Sequence, residues 1–148
     1  MAVTKLFVGS SDGSKRQAKV LIEGLKSATV EFLPWWDAFP AGRTLLEQLD
    51  AVKSKVDGAL ILFSPDAPAT MKSKSVAIPN LNTVFELGYF YSHFGKEKVA
   101  MVKYGEFFIP SNLNGYIYIP GSQFSERNKS APVSKKTKQE FEKWLKEF

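Results

Sequence analysis

The chain has 148 residues, 44% hydrophobic and 24% charged, which is the balance of a soluble globular protein and, at this length, of one domain with a single core. It has no cysteine, which excludes disulfides, thiolate metal sites and a cysteine nucleophile; its single histidine, His93, excludes a multi-histidine metal site. The net charge of +5 is concentrated in residues 127–148, where seven Lys/Arg stand against three acids, so it reads as a solvated helix face rather than a nucleic-acid surface spread over the fold.

No apolar run approaches about 18 residues, so no membrane-spanning helix is expected. The N-terminus, Met-Ala-Val-Thr-Lys-Leu-Phe-Val, reads as a first strand without a signal-peptide pattern, which points to the cytoplasm. Lys5 to Gly9 is an apolar run ended by Gly-Ser-Ser-Asp-Gly, a buried strand leaving into a turn. Ala18, Leu21, Ile22 and Leu25 follow at the spacing of one helix face. Thr29 to Leu33 alternates, with Val30 and Phe32 on one side, and Pro34 stops it. Residues 35–42 read as a loop holding Trp35, Trp36 and Phe39. Thr44 and Glu47 form a capping box ahead of a second helix marked by Leu45, Leu49 and Val52.

Ala59 to Phe63 is an unbroken apolar run, as expected of a central parallel strand covered on both faces. Ser64 to Leu81 reads as an 18-residue irregular loop, a length usually associated with function. The stretch Asn82-Thr-Val-Phe-Glu86-Leu-Gly-Tyr-Phe90 reads as a third helix, with Val84, Leu87, Gly88, Tyr91 and Phe94 at core spacing. Val99 to Val102 and Tyr116 to Ile119 are a fourth and a fifth strand, and residues 122–133 form the loosest segment. Ser134 caps a last helix whose apolar face is Phe141, Trp144, Leu145 and Phe148. That helix shows no C-cap signal before Phe148, and the expectation is that the chain leads into a sensor domain.

Alternating strands and helices imply an α/β fold with a five-stranded parallel sheet and helices on both faces. Such sheets bind ligands beyond the carboxyl ends of their strands. The loops at that edge are 9–13, 35–43 and 64–81, with the start of the Glu86 helix beside them. Ser10 and Ser11 are candidates for holding a phosphate, or simply part of a tight turn. Trp35, Trp36 and Phe39 are candidates, at least one of them, for stacking on a flat ring, or covers for the sheet end or a partner surface. Arg43 can clamp a phosphate or pair with Asp37 or Glu47; Asp66 can bond a ribose or cap a turn. Asn82 and Glu86 lie one turn apart, about 6 Å along a helix axis. A carboxylate among apolar neighbours is costly unless solvated, paired or used, although the helix dipole favours an acid at a helix start. His93, about 10 Å beyond Glu86 along the axis, reads as structural or solvent-facing.

Five segments together resemble a TIR (Toll/interleukin-1 receptor) domain of the bacterial antiphage effectors, among them those fused to STING or activated by cyclic nucleotides. They are Leu6-Phe-Val-Gly-Ser-Ser-Asp12, Gly42-Arg-Thr-Leu-Leu-Glu47, Ala59-Leu-Ile-Leu-Phe-Ser-Pro-Asp66, Asn82-x-Val-Phe-Glu-Leu-Gly-Tyr-Phe90, and Ile109-Pro-Ser-Asn-Leu-Asn-Gly115 with Tyr118-Ile-Pro120. The resemblance covers residues 4–121 of a single domain and implies a flavodoxin-like three-layer fold. It also implies hydrolysis of NAD⁺ at the nicotinamide–ribose bond by the glutamate matching Glu86, with NAD⁺ as substrate and no metal or other cofactor. Ser10, Ser11, Trp36, Phe39, Arg43, Asp66 and Asn82 are then the candidate NAD⁺ contacts. The implied partners are further copies of the chain, in oligomers or filaments, and a fused or separate cyclic-nucleotide sensor. Glu86-Leu-Gly-Tyr-Phe-Tyr91 is also similar to the glutamate helix of nucleoside deoxyribosyltransferases, and a non-catalytic TIR interaction module is a third reading.

Overall fold

The computed structural model describes residues 2–39, 41–109, 113, 118–121 and 132–148. Strand β1 (Thr4–Gly9) leads through a 3-10 turn at Asp12–Ser14 into α1 (Lys15–Leu25). Strand β2 (Val30–Pro34), the one-turn helix α2 (Trp35–Ala38) and α3 (Leu45–Lys53) follow. Next come β3 (Gly58–Phe63) and a hairpin of β4 (Ala67–Met71) and β5 (Lys74–Ile78). The chain continues with α4 (Leu81–Phe94), β6 (Val99–Lys103), β7 (Tyr118–Pro120) and α5 (Lys135–Leu145).

Five strands form one sheet in the order β2-β1-β3-β6-β7, every neighbouring pair parallel. This is the expected flavodoxin-like three-layer α/β fold. Alternate residues of each strand serve opposite faces. Leu6, Val8, Leu60, Leu62, Ala100 and Val102 pack with α1 and α5 on one side. Phe7, Ala59, Ile61, Phe63, Val99 and Met101 pack with α3 and α4 on the other. Burial of β3 on both faces is why its sequence reads as an unbroken apolar run. The chain leaves β1 for β2 on one side and returns to β3 on the other, so strand order reverses between β1 and β3.

Both sequence-derived caps hold. The Thr44 hydroxyl accepts from the Glu47 N–H at 3.2 Å and donates to the Glu47 carboxylate at 3.0 Å. The Ser134 hydroxyl accepts from the Thr137 N–H at 3.1 Å.

Three expectations are corrected. Residues 64–81 are not an irregular loop: most of them form the β4–β5 hairpin, paired from Ala67↔Ile78 to Met71↔Lys74. Its two-residue turn places Lys72 at φ 50° and Ser73 at φ 65°, the double left-handed geometry of a type I′ turn. Residues 35–38 are a helical turn after Pro34 rather than loop. The buried face of α4 is Thr83, Glu86, Leu87 and Phe90, while Gly88 and Tyr91 are exposed. The helix begins one residue earlier than expected, and its core stripe includes the acid. Tyr116, the segment 122–131 and most of the Ile109–Gly115 motif lie outside the described residues.

Candidate functional site

The site forms where β1 and β3 end. Asn80 starts α4, its side chain accepting from the Asn82 N–H at 2.9 Å while its carbonyl accepts from the Thr83 hydroxyl at 2.6 Å. That cap sets the rotation of the helix. Glu86 therefore occupies a core position, 4% exposed, between the buried Thr83 and Phe90. Its Oε2 is buried and has no hydrogen-bond partner. The carboxylate lies against Gly9, the last residue of β1, so closely that a Cβ there would overlap Oε2. The same space is bordered by Ile61 Cδ1 and Phe7 Cε2. An acid among such atoms loses its hydration, and burial pushes the Glu86 carboxyl up to about 8.

Phe7 links this floor to its surroundings, with ring centroids 5.4 Å from Phe39 and 4.9 Å from Phe90. Phe39 thus belongs to the apolar layer beneath Glu86. Trp36 turns to the opposite layer, where Lys15 Nζ and Lys19 Nζ stand 5.3 and 5.8 Å from its ring centroid. Trp35 is a stacking candidate but not among the expected NAD⁺ contacts. It packs on the Glu86 side, and its indole N–H donates to Ser10 Oγ at 2.9 Å. Ser10 Oγ in turn donates to the Ser11 carbonyl at 2.9 Å, which fixes the turn after β1. Nothing in the doublet Trp35-Trp36 distinguishes the two; one residue of helical rotation sends them to different faces.

Ser10 and Ser11 are both buried beside Gly9. Behind them the hydroxyls of Ser14 and Ser64 share a hydrogen bond of 2.6 Å that ties the turn to the end of β3. Gln17 Oε1, one turn further along α1, is a second buried acceptor without a partner. Asp66 is exposed, and its N–H donates to the Ile78 carbonyl at 2.8 Å to close the hairpin base. Arg43 is exposed just ahead of the Thr44 cap, and Asn82 is exposed on the first turn of α4. His93 is exposed near the other end of α4, its ring edge-on to Phe94. Glu86, Phe39, Ser10 and Ser11 are therefore brought together at the sheet edge; Asn82, Asp66 and Arg43 are exposed, and Trp36 is not part of the Glu86 layer. Among the described residues no group of three or more His, Asp or Glu side chains is disposed to hold a metal ion. No described helix is long and apolar enough to cross a membrane.

The family profile described as "CAP12/Pycsar effector protein, TIR domain" matches residues 5–123. Over 111 residues the chain is 27% identical to CD-NTase-associated protein 12 of Sphingobacterium faecium, an alignment covering 75% of this chain and 34% of that protein. It is 28% identical over 107 residues to Pycsar effector protein PaPycTIR of Pseudomonas aeruginosa, covering 70% and 34%. It is 35% identical over 78 residues to the uncharacterized protein YuaY of Escherichia coli (strain K12), covering 51% and 26%. The chain thus spans between 26% and 34% of the length of these relatives.

Proposed function

The chain belongs to the CAP12/Pycsar effector TIR-domain family, and from that premise we propose that it hydrolyses NAD⁺ to nicotinamide and ADP-ribose with Glu86 as its catalytic group. The observation that supports this reading is the Glu86 carboxylate itself, buried without a partner for Oε2 at the strand-order reversal. An acid held at such cost, at the edge where parallel sheets bind ligands, is suited to work on a ligand.

The chemistry needs little else. In NAD⁺ the nicotinamide is cationic while bonded to the ribose, and it departs as a neutral base with both electrons of the bond. No general acid is required. The ribose is left with oxocarbenium character, which a carboxylate in a water-poor setting stabilises. Water then adds to the same carbon and releases a proton. The cationic ring of the substrate also favours the ionised form of Glu86, so entry of NAD⁺ drives off the proton that burial holds on the free protein.

In this reading Phe39 and Trp35 flank the nicotinamide and the Ser10–Ser11 turn meets the pyrophosphate with Arg43. Asn82 and Asp66 serve ribose hydroxyls. The names of the relatives, a CD-NTase-associated protein and a Pycsar effector, support an antiphage effector; in our reading a cyclic-nucleotide sensor switches it on by self-association.

The test is NAD⁺ cleavage by the chain under forced oligomerisation, with Glu86→Gln in parallel and deoxynucleosides as alternative substrates. Nicotinamide release should fall about 10²–10³-fold in Glu86→Gln with assembly intact, and deoxynucleosides should remain unchanged. Assembled wild-type protein that leaves NAD⁺ untouched rejects the proposal.

A further inference from the structure

Glycine inside a strand needs a reason, because it forgoes packing and loses more conformational freedom on folding than any other residue. Gly9 is in β1, in register with Ile61 of β3. The usual reason does not apply: among the described residues the glycines with positive φ are Gly42, Gly95 and Gly105, and Gly9 is not one of them. Its backbone is one that any residue can adopt. What remains is the space that a side chain would fill.

A Cβ on Gly9 would overlap Glu86 Oε2 and would lie 3.0 Å from both Ile61 Cδ1 and Phe7 Cε2. The two carbon contacts are tight but tolerable with small shifts, whereas the carboxylate must move. Other strand-edge glycines make room for different things. Gly58 admits the Lys98 carbonyl and the Phe148 ring, and Gly121 admits the Tyr104 ring. Of these three glycines, Gly9 alone admits a buried carboxylate oxygen without a partner.

We propose that Gly9 is a positioning residue for Glu86, its missing side chain being what admits the carboxylate to the end of β1. The inference rests on the catalytic reading of Glu86 but concerns its placement. Since Oε2 is the tip of a flexible side chain, the least costly response to Gly9→Ala is rotation of the carboxylate toward solvent, with the fold retained.

The experiment compares wild type and Gly9→Ala by carboxyl ¹³C NMR titration of Glu86 and by steady-state NAD⁺ cleavage under forced assembly. In Gly9→Ala the Glu86 carboxyl should titrate nearer the ordinary carboxylate range, and kcat should fall about 100-fold with KM changed far less. A variant that keeps the wild-type titration overturns the proposal, whether or not NAD⁺ is cleaved. Absence of cleavage by wild type rejects the hydrolase reading alone, because the titration still decides the placement. If Gly9→Ala does not fold, Gly9→Ala/Glu86→Ala decides. Its folding supports the carboxylate as the group that needs the space, and its failure assigns the glycine to packing against Phe7 and Ile61 and overturns the inference.

Discussion

Glu86 stands where the periodicity of α4 calls for an apolar side chain, with Thr83, Leu87 and Phe90 sharing its buried face. Its cost appears as a pH dependence. Burial raises the carboxyl from an ordinary 4.5 to about 8, with desolvation as the cause. Between those values the folded chain holds a proton that the unfolded chain has released. The stability linked to Glu86 is therefore full in acid and declines as pH rises, by up to ~1.4 kcal/mol per pH unit, until it is lost above about 8. Denaturant titrations from pH 5 to 9 should show this slope in wild type and not in Glu86→Gln, which should be the more stable protein at pH 8 and above. The same ionisation should govern catalysis in the proposed reaction. For the free protein, kcat/KM should rise with pH to a plateau above about 8, and a profile flat from pH 6 to 9 would contradict a carboxylate that must first lose its proton. At this scale the acid itself was legible in the sequence. The reason for its shifted ionisation was not, because Gly9, Phe7 and Ile61 come from other strands.

Local elements were legible where a side chain acts on its own backbone. The caps at Thr44 and Ser134 follow from single hydroxyls bonding N–H groups three residues on. The β4–β5 hairpin was not legible for the converse reason. Its turn is Lys72-Ser73 rather than Asn-Gly, and its strands include Pro68, which normally marks a strand edge. Register comes instead from five paired positions and from the Phe108 N–H, which donates to the Ala77 carbonyl at 2.7 Å. Left-handed backbone costs an ordinary residue about 1 kcal/mol or more, and glycine does not bear that cost. Ser73→Gly should therefore stabilise the protein by about 0.5–1 kcal/mol without altering the proposed NAD⁺ site, read as a higher midpoint in thermal melts with any NAD⁺ cleavage unchanged. An unchanged or lower midpoint would mean that the turn is less left-handed in solution than a φ of 65° at Ser73 implies.

Across the whole molecule, three elements remote in sequence meet at one edge: the turn after β1, the α2 segment and the second turn of α4. Strand order reverses between β1 and β3, the position where parallel sheets bind ligands, and Glu86 of α4 lies there against the end of β1. Leu81 and Phe85, on the exposed side of the same helix, are 72% and 49% accessible, and Asn82 beside them is also exposed. In the proposed effector, self-association covers this exposed side of α4. NAD⁺ cleavage per chain should then rise with protein concentration and with forced assembly, and fall on dilution at constant substrate. Cleavage per chain independent of concentration, across a range in which light scattering shows assembly changing, would contradict activation by oligomerisation.

The sequence by itself determined the alternation of strands and helices, the parallel sheet with two covered faces, the caps, and the presence of one acid among apolar neighbours in a helix. These follow from short-range rules of periodicity and capping, each satisfied within a few residues. Only the tertiary structure decided that this acid is pressed against Gly9, that Trp35 rather than Trp36 braces the adjoining turn, and that residues 67–78 form a hairpin. Each of those outcomes depends on atoms from separate elements competing for the same space or the same hydrogen bond, which the order of residues along the chain does not express.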